Sequence, residues 1–450
     1  MARVVEKDRR YVLHPITDAA THARSGPSIC VVSGDGIYVE DIDGRRYVEA
    51  SGGAWCLALG HGEEQLVRAA AGQMRKLSYS PGFFGRACEP VALLAERLTA
   101  MAPFAARRVL FTNSGSEAND TQLRLLWYAN NLRGEPQRKK VLTRHRAYHG
   151  SSGLSAGLTG LPVFHADFNI PDSFVRRLTA PHLASEGVPG EDEAAFVSRL
   201  RDELKDTIEA EGPETIAAFF AEPVMAAGGV LIPPKGYFPA MQEVLDPYDI
   251  PLVADEVVTA FGRTGAVWGS DTMSVRPSSL TLAKQLSSAY LPIGAVVVGE
   301  DLEAAAIEGS DRHGVLGHGF TYGGHPVCAA VALRTLELFD ERDVYGHAEA
   351  MSAVFEQRIL QLAGHPLVAA AEGIGLIGAI ELDPEVGVDP WDPALLSKHC
   401  VDECMREGLL VRQAGLRTCF CPPLIIDAEQ IDEMFGRYER VLDRLLTAGR

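Results

Sequence analysis

Short apolar runs recur through the middle of this chain, at residues 108–112, 140–143, 216–221, 252–254, 279–283 and 295–298, each set apart from the next by helical or loop sequence. Runs of that length without polar alternation need cover on both faces, and a mostly parallel sheet between two layers of helices covers them. The spacing therefore predicts an α/β fold built on one large sheet. Ahead of it, residues 29–50 alternate apolar and polar and are broken by Gly34-Asp35-Gly36 and Asp43-Gly44, which predicts a small antiparallel meander. The apolar period turns helical at 63–77 and 89–101. After Pro326 the pattern is helical at 328–339 and 351–362, strand-like near 376–382 and 409–411, and helical again from 428 to about 446. No repeat or linker divides the 450 residues, although 184–192 reads as a surface loop. The expected organisation is a large domain over 61–325 and a smaller α+β domain assembled from 1–60 and 326–450.

Composition narrows the partners. A formal net charge of -18 repels phosphate backbones and anionic lipid, so small molecules are expected to bind and neither nucleic acid nor membrane is. The cysteines are scattered, with no Cys-x-x-Cys and no zinc-type spacing. Cys400 and Cys404, one helical turn apart beside His399, read as buried apolar thiols, and no metal is expected. Residues 1–10 are rich in charge, and no apolar run reaches the roughly 18 residues of a membrane span, so a cytoplasmic location is the expectation.

One motif misleads. Gly373-Ile374-Gly375-Leu376-Ile377-Gly378 matches a dinucleotide fingerprint as a string, but it leads into the strand-like Ala379-Ile380-Glu381-Leu382. A dinucleotide turn has to open a helix whose N-terminus faces the pyrophosphate.

The chemistry is carried by features of the large sheet. Thr112-Asn113-Ser114-Gly115-Ser116-Glu117-Ala118-Asn119 follows a strand and precedes a helical pattern, with Ser114 and Glu117 at capping-box spacing. A helix N-terminus there offers free N–H groups, a close-approach glycine and serine hydroxyls to an anion; a capped helix without ligand fits the same residues. Pro251-Leu252-Val253-Ala254-Asp255-Glu256-Val257 ends an apolar strand in acids. A strand-end carboxylate in an open parallel sheet faces the ligand crevice, where the protonated ring nitrogen of a pyridoxal would be its counter-ion; a helix cap is the alternative. Thr281-Leu282-Ala283-Lys284 places a lysine directly after another apolar strand, in the same crevice, where a cationic ring would lower its pKa and favour an imine. A lysine that snorkels to solvent is the bland alternative. An anion cradle, a strand-end acid and a strand-end lysine on neighbouring strands together meet the needs of one cofactor.

Further motifs are Trp55-Cys56 with Gly60-His61-Gly62, Ala147-Tyr148-His149-Gly150, Ala221-Glu222-Pro223-Val224, Phe261-Gly262-Arg263-Thr264-Gly265 and Phe320-Thr321-Tyr322-Gly323-Gly324-His325-Pro326. With the features above, the sequence resembles the class III (omega) aminotransferases among the fold-type I pyridoxal-phosphate enzymes, over nearly its whole length. It is most similar in appearance to bacterial enzymes that take amines or omega-amino acids and pass the amino group to pyruvate. The resemblance implies a mostly parallel seven-stranded sheet, pyridoxal 5'-phosphate held as an imine on Lys284, and a homodimer or larger homo-oligomer. It implies that Tyr148 stacks on the pyridine ring and Val257 packs against the other face. Ser114, Gly115, Ser116 and His149 belong to the cofactor site, with Thr321 reaching the phosphate from the neighbouring subunit. Glu222 sits near the 3-hydroxyl side of the ring. Asp255 keeps the ring nitrogen charged.

Trp55, Phe83, Phe84 and Tyr148 suit an apolar substrate body, and Arg412, on a loop near the C-terminal strand, matches a mobile arginine for a substrate carboxylate. Tyr148 and Trp55 also fit as core aromatics, and Arg412 as the neutraliser of a helix end. Where relatives often carry Asp after Gly415, this chain has Leu416-Arg417, which makes Arg417 a second candidate for the carboxylate. In the pocket segment Met225-Ala226-Ala227-Gly228, Met225 is bulkier than a glycine, so substrate size does not transfer from relatives. The implied activity moves an amino group from an amine donor to a 2-oxo acid acceptor, with Lys284 as the proton shuttle. An aminomutase or decarboxylase of the same fold, or a non-catalytic descendant, shares the residues named.

Overall fold

The computed structural model describes residues 2–386 and 392–448. The expected meander forms as β1 (Val31–Asp35), β2 (Tyr38–Asp41) and β3 (Arg46–Glu49), antiparallel throughout. The apolar runs become β4 (Arg108–Thr112), β5 (Lys140–Arg144), β7 (Ile216–Ala221), β8 (Leu252–Asp255), β9 (Ser279–Leu282) and β10 (Gly294–Val298), joined by β6 (Val175–Leu178) in a seven-stranded sheet of order β4-β10-β9-β8-β7-β5-β6. Every residue of β7, β8, β9 and β10 is buried, which is why these segments read as unbroken apolar runs. The apolar pattern does not mark β6. As an edge strand it tolerates Arg176 and Arg177, which turn aside to pair with Glu211 and Asp172.

Strand direction decides where the site lies. β5, β7, β8 and β9 are parallel to one another, and β10 runs against both β9 and β4. β4 therefore points the same way as β9, and β6 the same way as its parallel neighbour β5, so the C-terminal ends of six strands meet the start of β10 at one edge of the sheet. In open α/β sheets that edge is the ligand crevice.

The later strands are β11 (Val368–Ile374), β12 (Ile377–Leu382), β13 (Leu409–Leu410), β14 (Arg412–Ala414) and β15 (Arg417–Phe420). β13 pairs in parallel with β3 and so joins the beginning of the chain to its end. The others form a second sheet of order β11-β12-β15-β14. Gly373 and Gly378 face each other across the β11–β12 hairpin, and Gly375 makes the turn at φ 62°, where an added Cβ would lie 2.5 Å from the Arg263 carbonyl oxygen. This is strand, turn and strand, with no helix for a pyrophosphate. Arg412 departs from expectation. It lies on the edge strand β14, opposite Cys419, and not on a loop, because the turn at Gly415 folds residues 412–414 back onto β15.

The final helix, Ala428–Ala448, buries Ile431, Met434, Phe435, Tyr438, Val441, Leu442 and Leu445, the stripe that a 3.6-residue period predicts. Phe435 meets Phe355 of the helix Val344–Gln361 with ring centroids 5.2 Å apart. Cys400 and Cys404 are buried free thiols, with Cys400 Sγ 3.5 Å from the Thr418 hydroxyl. At the start of the chain the helices Ala2–Tyr11 and Ala19–Ser25 are tied by Asp8, whose carboxylate lies 3.0 Å from His14 Nε2 and 2.8 Å from His22 Nε2. Among the described residues, no helix is long and apolar enough to cross a membrane.

Candidate active site

At the shared edge of the large sheet lies a cavity of about 420 Å³. On one side is the start of the helix Gly115–Leu132. Ser114 caps it by accepting the Glu117 N–H at 3.2 Å, and the Glu117 carboxylate accepts the Asn113 N–H at 2.7 Å. Gly115 and Ser116 occupy the first turn, where N–H groups have no partner within the helix, and both line the cavity. A Cβ on Gly115 would meet both methyls of Val257 at 3.0 Å, so glycine lets the helix start approach the β8 end closely.

The floor of the cavity holds a buried acid network. Asp255, the last residue of β8, is 4% exposed. Its Oδ2 accepts a hydrogen bond from Asn119 Nδ2 at 2.8 Å and lies 2.8 Å from His149 Nδ1, while Oδ1 accepts the Val257 N–H at 3.1 Å. His149 Nε2 sits 3.1 Å from the Thr143 hydroxyl, which orients the ring. Among the described residues, no lysine or arginine pairs with Asp255. A buried carboxylate arranged this way is prepared for a cation that arrives with a ligand.

Lys284 follows β9 by one intervening residue and lines the same cavity, half-buried. No hydrogen bond or ion pair holds its Nζ among the described residues, and it lies over the Trp55 ring, 5.5 Å from the centroid. Burial pushes the ammonium below the usual lysine range and Arg412 adds to this, while Cys56 and Asp255 oppose it. The structure thus presents an amine biased toward its neutral, nucleophilic form.

Glu222, just past β7, accepts the Tyr148 N–H at 3.0 Å and the Ala226 N–H at 3.2 Å. Burial raises its pKa and the Asp255 carboxylate adds to this, against the charge of Arg144. Tyr148 lines the cavity and leans on Phe164 with centroids 5.2 Å apart. Trp55 is fully buried with a backbone φ of 63°, and the Arg412 guanidinium lies 4.4 Å from its ring centroid.

Several expectations change. Phe83 and Phe84 line a separate cavity with Phe320 and Gly323, so a single chain does not bring them into the wall around Lys284, and Thr321, expected from the neighbouring subunit, is not in that wall either. Trp55 and Arg412 lie beside Lys284 but outside the lining of its cavity, because the buried indole is covered by the guanidinium. Met225 turns into the core against Ala147, Ala180 and Leu231, and Val224 and Ala227 line the cavity in its place, so its bulk does not narrow the pocket. Arg417 is 3% exposed and fully engaged: it pairs with Glu372, with Glu381 at 2.7 Å, and with the Gly229 carbonyl at 2.7 Å. The sequence reading also gave no role to Asn119 or Cys56, both cavity residues. Asn119 carried a signal, since it stands four positions after Gly115 and so shares the helix face of the free N–H end.

The comparisons agree with this geometry. Residues 20–442 match the family model for aminotransferase class-III. The chain is 44% identical over 410 residues to gamma-aminobutyrate transaminase 1, mitochondrial, of Oryza sativa subsp. japonica, covering 90% of this chain and 79% of that one. It is 42% identical over 427 residues to the corresponding mitochondrial transaminase 1 of Solanum lycopersicum, covering 92% and 81%. Among solved structures it is similar to the omega transaminase from Pseudomonas jessenii in complex with PMP, with TM-score 0.96, 40% identity and coverage of 99% and 98%. An amine without a hydrogen-bonding partner, a buried carboxylate without a lysine or arginine partner among the described residues and a helix start with free N–H groups fit an aldehyde, a pyridine nitrogen and a phosphate carried on one molecule. With that fit and these likenesses, the chain belongs to the class-III aminotransferases, has the fold of the pyridoxal-phosphate-dependent transaminases, and uses pyridoxal phosphate as its cofactor.

Proposed function

We propose that this enzyme takes the amino group of a primary amine or omega-amino acid and delivers it to a 2-oxo acid, pyruvate foremost. The observation that carries this reading is the stacking of Arg412 on Trp55 at 4.4 Å, beside Lys284 at 5.5 Å from the same ring. Trp55 and Arg412 thus stand beside Lys284, next to the cavity and outside its lining, and the guanidinium is free of carboxylate partners among the described residues. The names of the plant relatives, which are gamma-aminobutyrate transaminases, support an omega-amino acid donor.

Bound pyridoxal phosphate supplies an aldehyde that takes up the amino group and a ring that draws electrons from the carbon losing its proton. Lys284 holds the cofactor and then moves the proton at the reacting carbon. Asp255 keeps the ring nitrogen protonated, with Asn119 and His149 fixing the carboxylate. Tyr148 and Val257 flank the ring. Ser114, Gly115 and Ser116 hold the phosphate. Glu222 orients Tyr148 and the polar side of the ring. The division of the chain at 1–60, 61–325 and 326–450 belongs to this reading, with the cofactor on the middle unit.

Arg412 binds the acceptor carboxylate by leaving the indole face. A charge-assisted bidentate pair contributes about 1.5 to 3 kcal/mol, so Arg412→Ala is expected to lower efficiency with pyruvate or an omega-amino acid on the order of 10- to 150-fold. Stopped-flow half-reactions with a simple aryl amine should be largely unaffected; equal losses for amine and oxo acid would sink the arginine role. Arg417→Ala is expected to act on stability, by about 1 to 3 kcal/mol, because it strands Glu381 and leaves Glu372 with His182 alone, and to leave the preference between acceptors unchanged.

The active unit in this reading is a homodimer. Phe84 is 88% exposed and Tyr322 62%, an apolar surface around Thr321 that suits a second copy. Phe83 and Phe84 of one subunit and Thr321 of the partner subunit then complete the other's site. Thr321→Ala is expected to raise the cofactor dissociation constant about tenfold with little change in the rate of the saturated enzyme. A fully active monomer in light scattering under assay conditions would overturn the shared site.

A further inference from the structure

Lys284 is held in an unfavourable backbone conformation. Its φ is 46°, in the left-handed region, and Ser288 and Ala289 follow at 49° and 66°. The residues between form a single 3-10 turn, Lys284–Ser287, too short to hold itself. A non-glycine residue persists in that region only where its surroundings over-determine it.

Those surroundings are two side chains. On one flank the Ser288 hydroxyl accepts the Ala58 and Leu59 N–H groups at 3.1 and 2.8 Å. On the other, Gln285 is 1% exposed and every part of its amide is used. Its Nε2 donates to the carbonyls of Val258 at 3.1 Å and Ala260 at 2.8 Å, and its Oε1 accepts from Arg263 Nη2 at 3.1 Å. Arg263 is itself fully buried and, among the described residues, has no carboxylate partner. Its Nη1 donates to the carbonyls of Leu376 at 2.8 Å and Pro422 at 2.7 Å. A buried guanidinium held by neutral oxygens alone is an expensive arrangement, and here it ties the C-terminal strands to the residue next to Lys284.

We propose that Gln285, braced by Arg263, is a positioning residue that holds the Lys284 backbone where its amine can reach the cofactor. The inference rests on the reading of Lys284 above. Without the clamp the turn relaxes toward right-handed φ and Nζ withdraws from the cavity, while the phosphate cradle on the helix Gly115–Leu132 is untouched. The covalent link between Nζ and the cofactor aldehyde, which forms with loss of one water, then weakens; binding through phosphate and ring alone does not.

The test compares two ligands on cofactor-free enzyme. Pyridoxal phosphate joins Lys284; pyridoxamine phosphate fills the same cradle and lacks the aldehyde. For Gln285→Met the dissociation constant of pyridoxal phosphate is expected to rise about 10- to 100-fold, the worth of two to three hydrogen bonds, and that of pyridoxamine phosphate by less than about threefold. Arg263→Met should show the same split, and the double variant should be no worse than the poorer single one, since both act through one contact. Equal weakening of both ligands means a merely structural role and overturns the proposal, as does no change in either. If Gln285→Met does not melt cooperatively, Gln285→Glu, which keeps the oxygen facing Arg263 and removes both donors, carries the same comparison. Borohydride reduction of the wild type separates the two ideas: an adduct away from Lys284 removes the underlying reading, whereas an adduct on Lys284 without the ligand split removes only the clamp.

Discussion

Lys284→Ala is expected to abolish amino transfer, by roughly 10⁴-fold or more, while the protein still binds cofactor. Two proposed roles are lost at once: the covalent hold on the cofactor, and the base that moves a proton at the reacting carbon, which alone contributes about 10²- to 10⁴-fold. The geometry argues for this residue over the other lysines. Its Nζ has no partner among the described residues, lies in the cavity shared with Asp255, and is biased toward the neutral amine by burial. The phosphate cradle stands on a different element, so binding through it should survive. Mass spectrometry after borohydride reduction should find the pyridoxyl group on the peptide containing Lys284, and turnover in the alanine variant would end the assignment.

Asp255→Asn is the second large effect. The substitution keeps the shape and one of the two oxygens, but it removes the negative charge that is proposed to hold a proton on the ring nitrogen. Electrostatic groups preorganised in a water-poor site are worth about 10²- to 10³-fold each, and the donor half-reaction is expected to slow by that order. Proton abstraction should become fully rate-limiting, seen as a larger isotope effect with a deuterated donor. The alternative role, a cap for the following turn, rests on Oδ1 accepting the Val257 N–H, and an asparagine whose single oxygen turns there keeps the cap at the expense of Asn119 and His149. A variant with near-normal single-turnover rates would therefore reduce Asp255 to that cap.

Much of this site was legible before the fold was known, for a local reason. Lys284 and Asp255 each follow an apolar run, and a polar residue at the end of a buried strand has few places to go except the crevice. The capping spacing of Ser114 and Glu117 marked the helix start in the same way, although in three dimensions Glu117 closes onto Asn113. β6 was hidden because an edge strand need not be apolar. Arg412 was read as a loop residue because the three residues of β14 carry no strand pattern, and only pairing with β15 makes them one.

Apart from β6 and β14, the sequence by itself determined which segments of the two sheets are strands and which chemical groups stand at their ends, because side-chain period, capping and turn chemistry act within a few residues. Only the tertiary structure decided which strand ends are neighbours. The order β9-β8-β7-β5 sets Lys284, Asp255, Glu222 and Tyr148 along one edge. It also decided what each charge does. Arg412 and Arg417 are nearly adjacent in the chain, yet one stacks on Trp55 and the other is spent on Glu372, 45 positions away, and Glu381. Gln285 looks like any polar residue beside a lysine until Val258, Ala260 and Arg263 close around it. Such contacts join residues far apart in sequence, and their energy comes from desolvation and exact partners that no local pattern encodes.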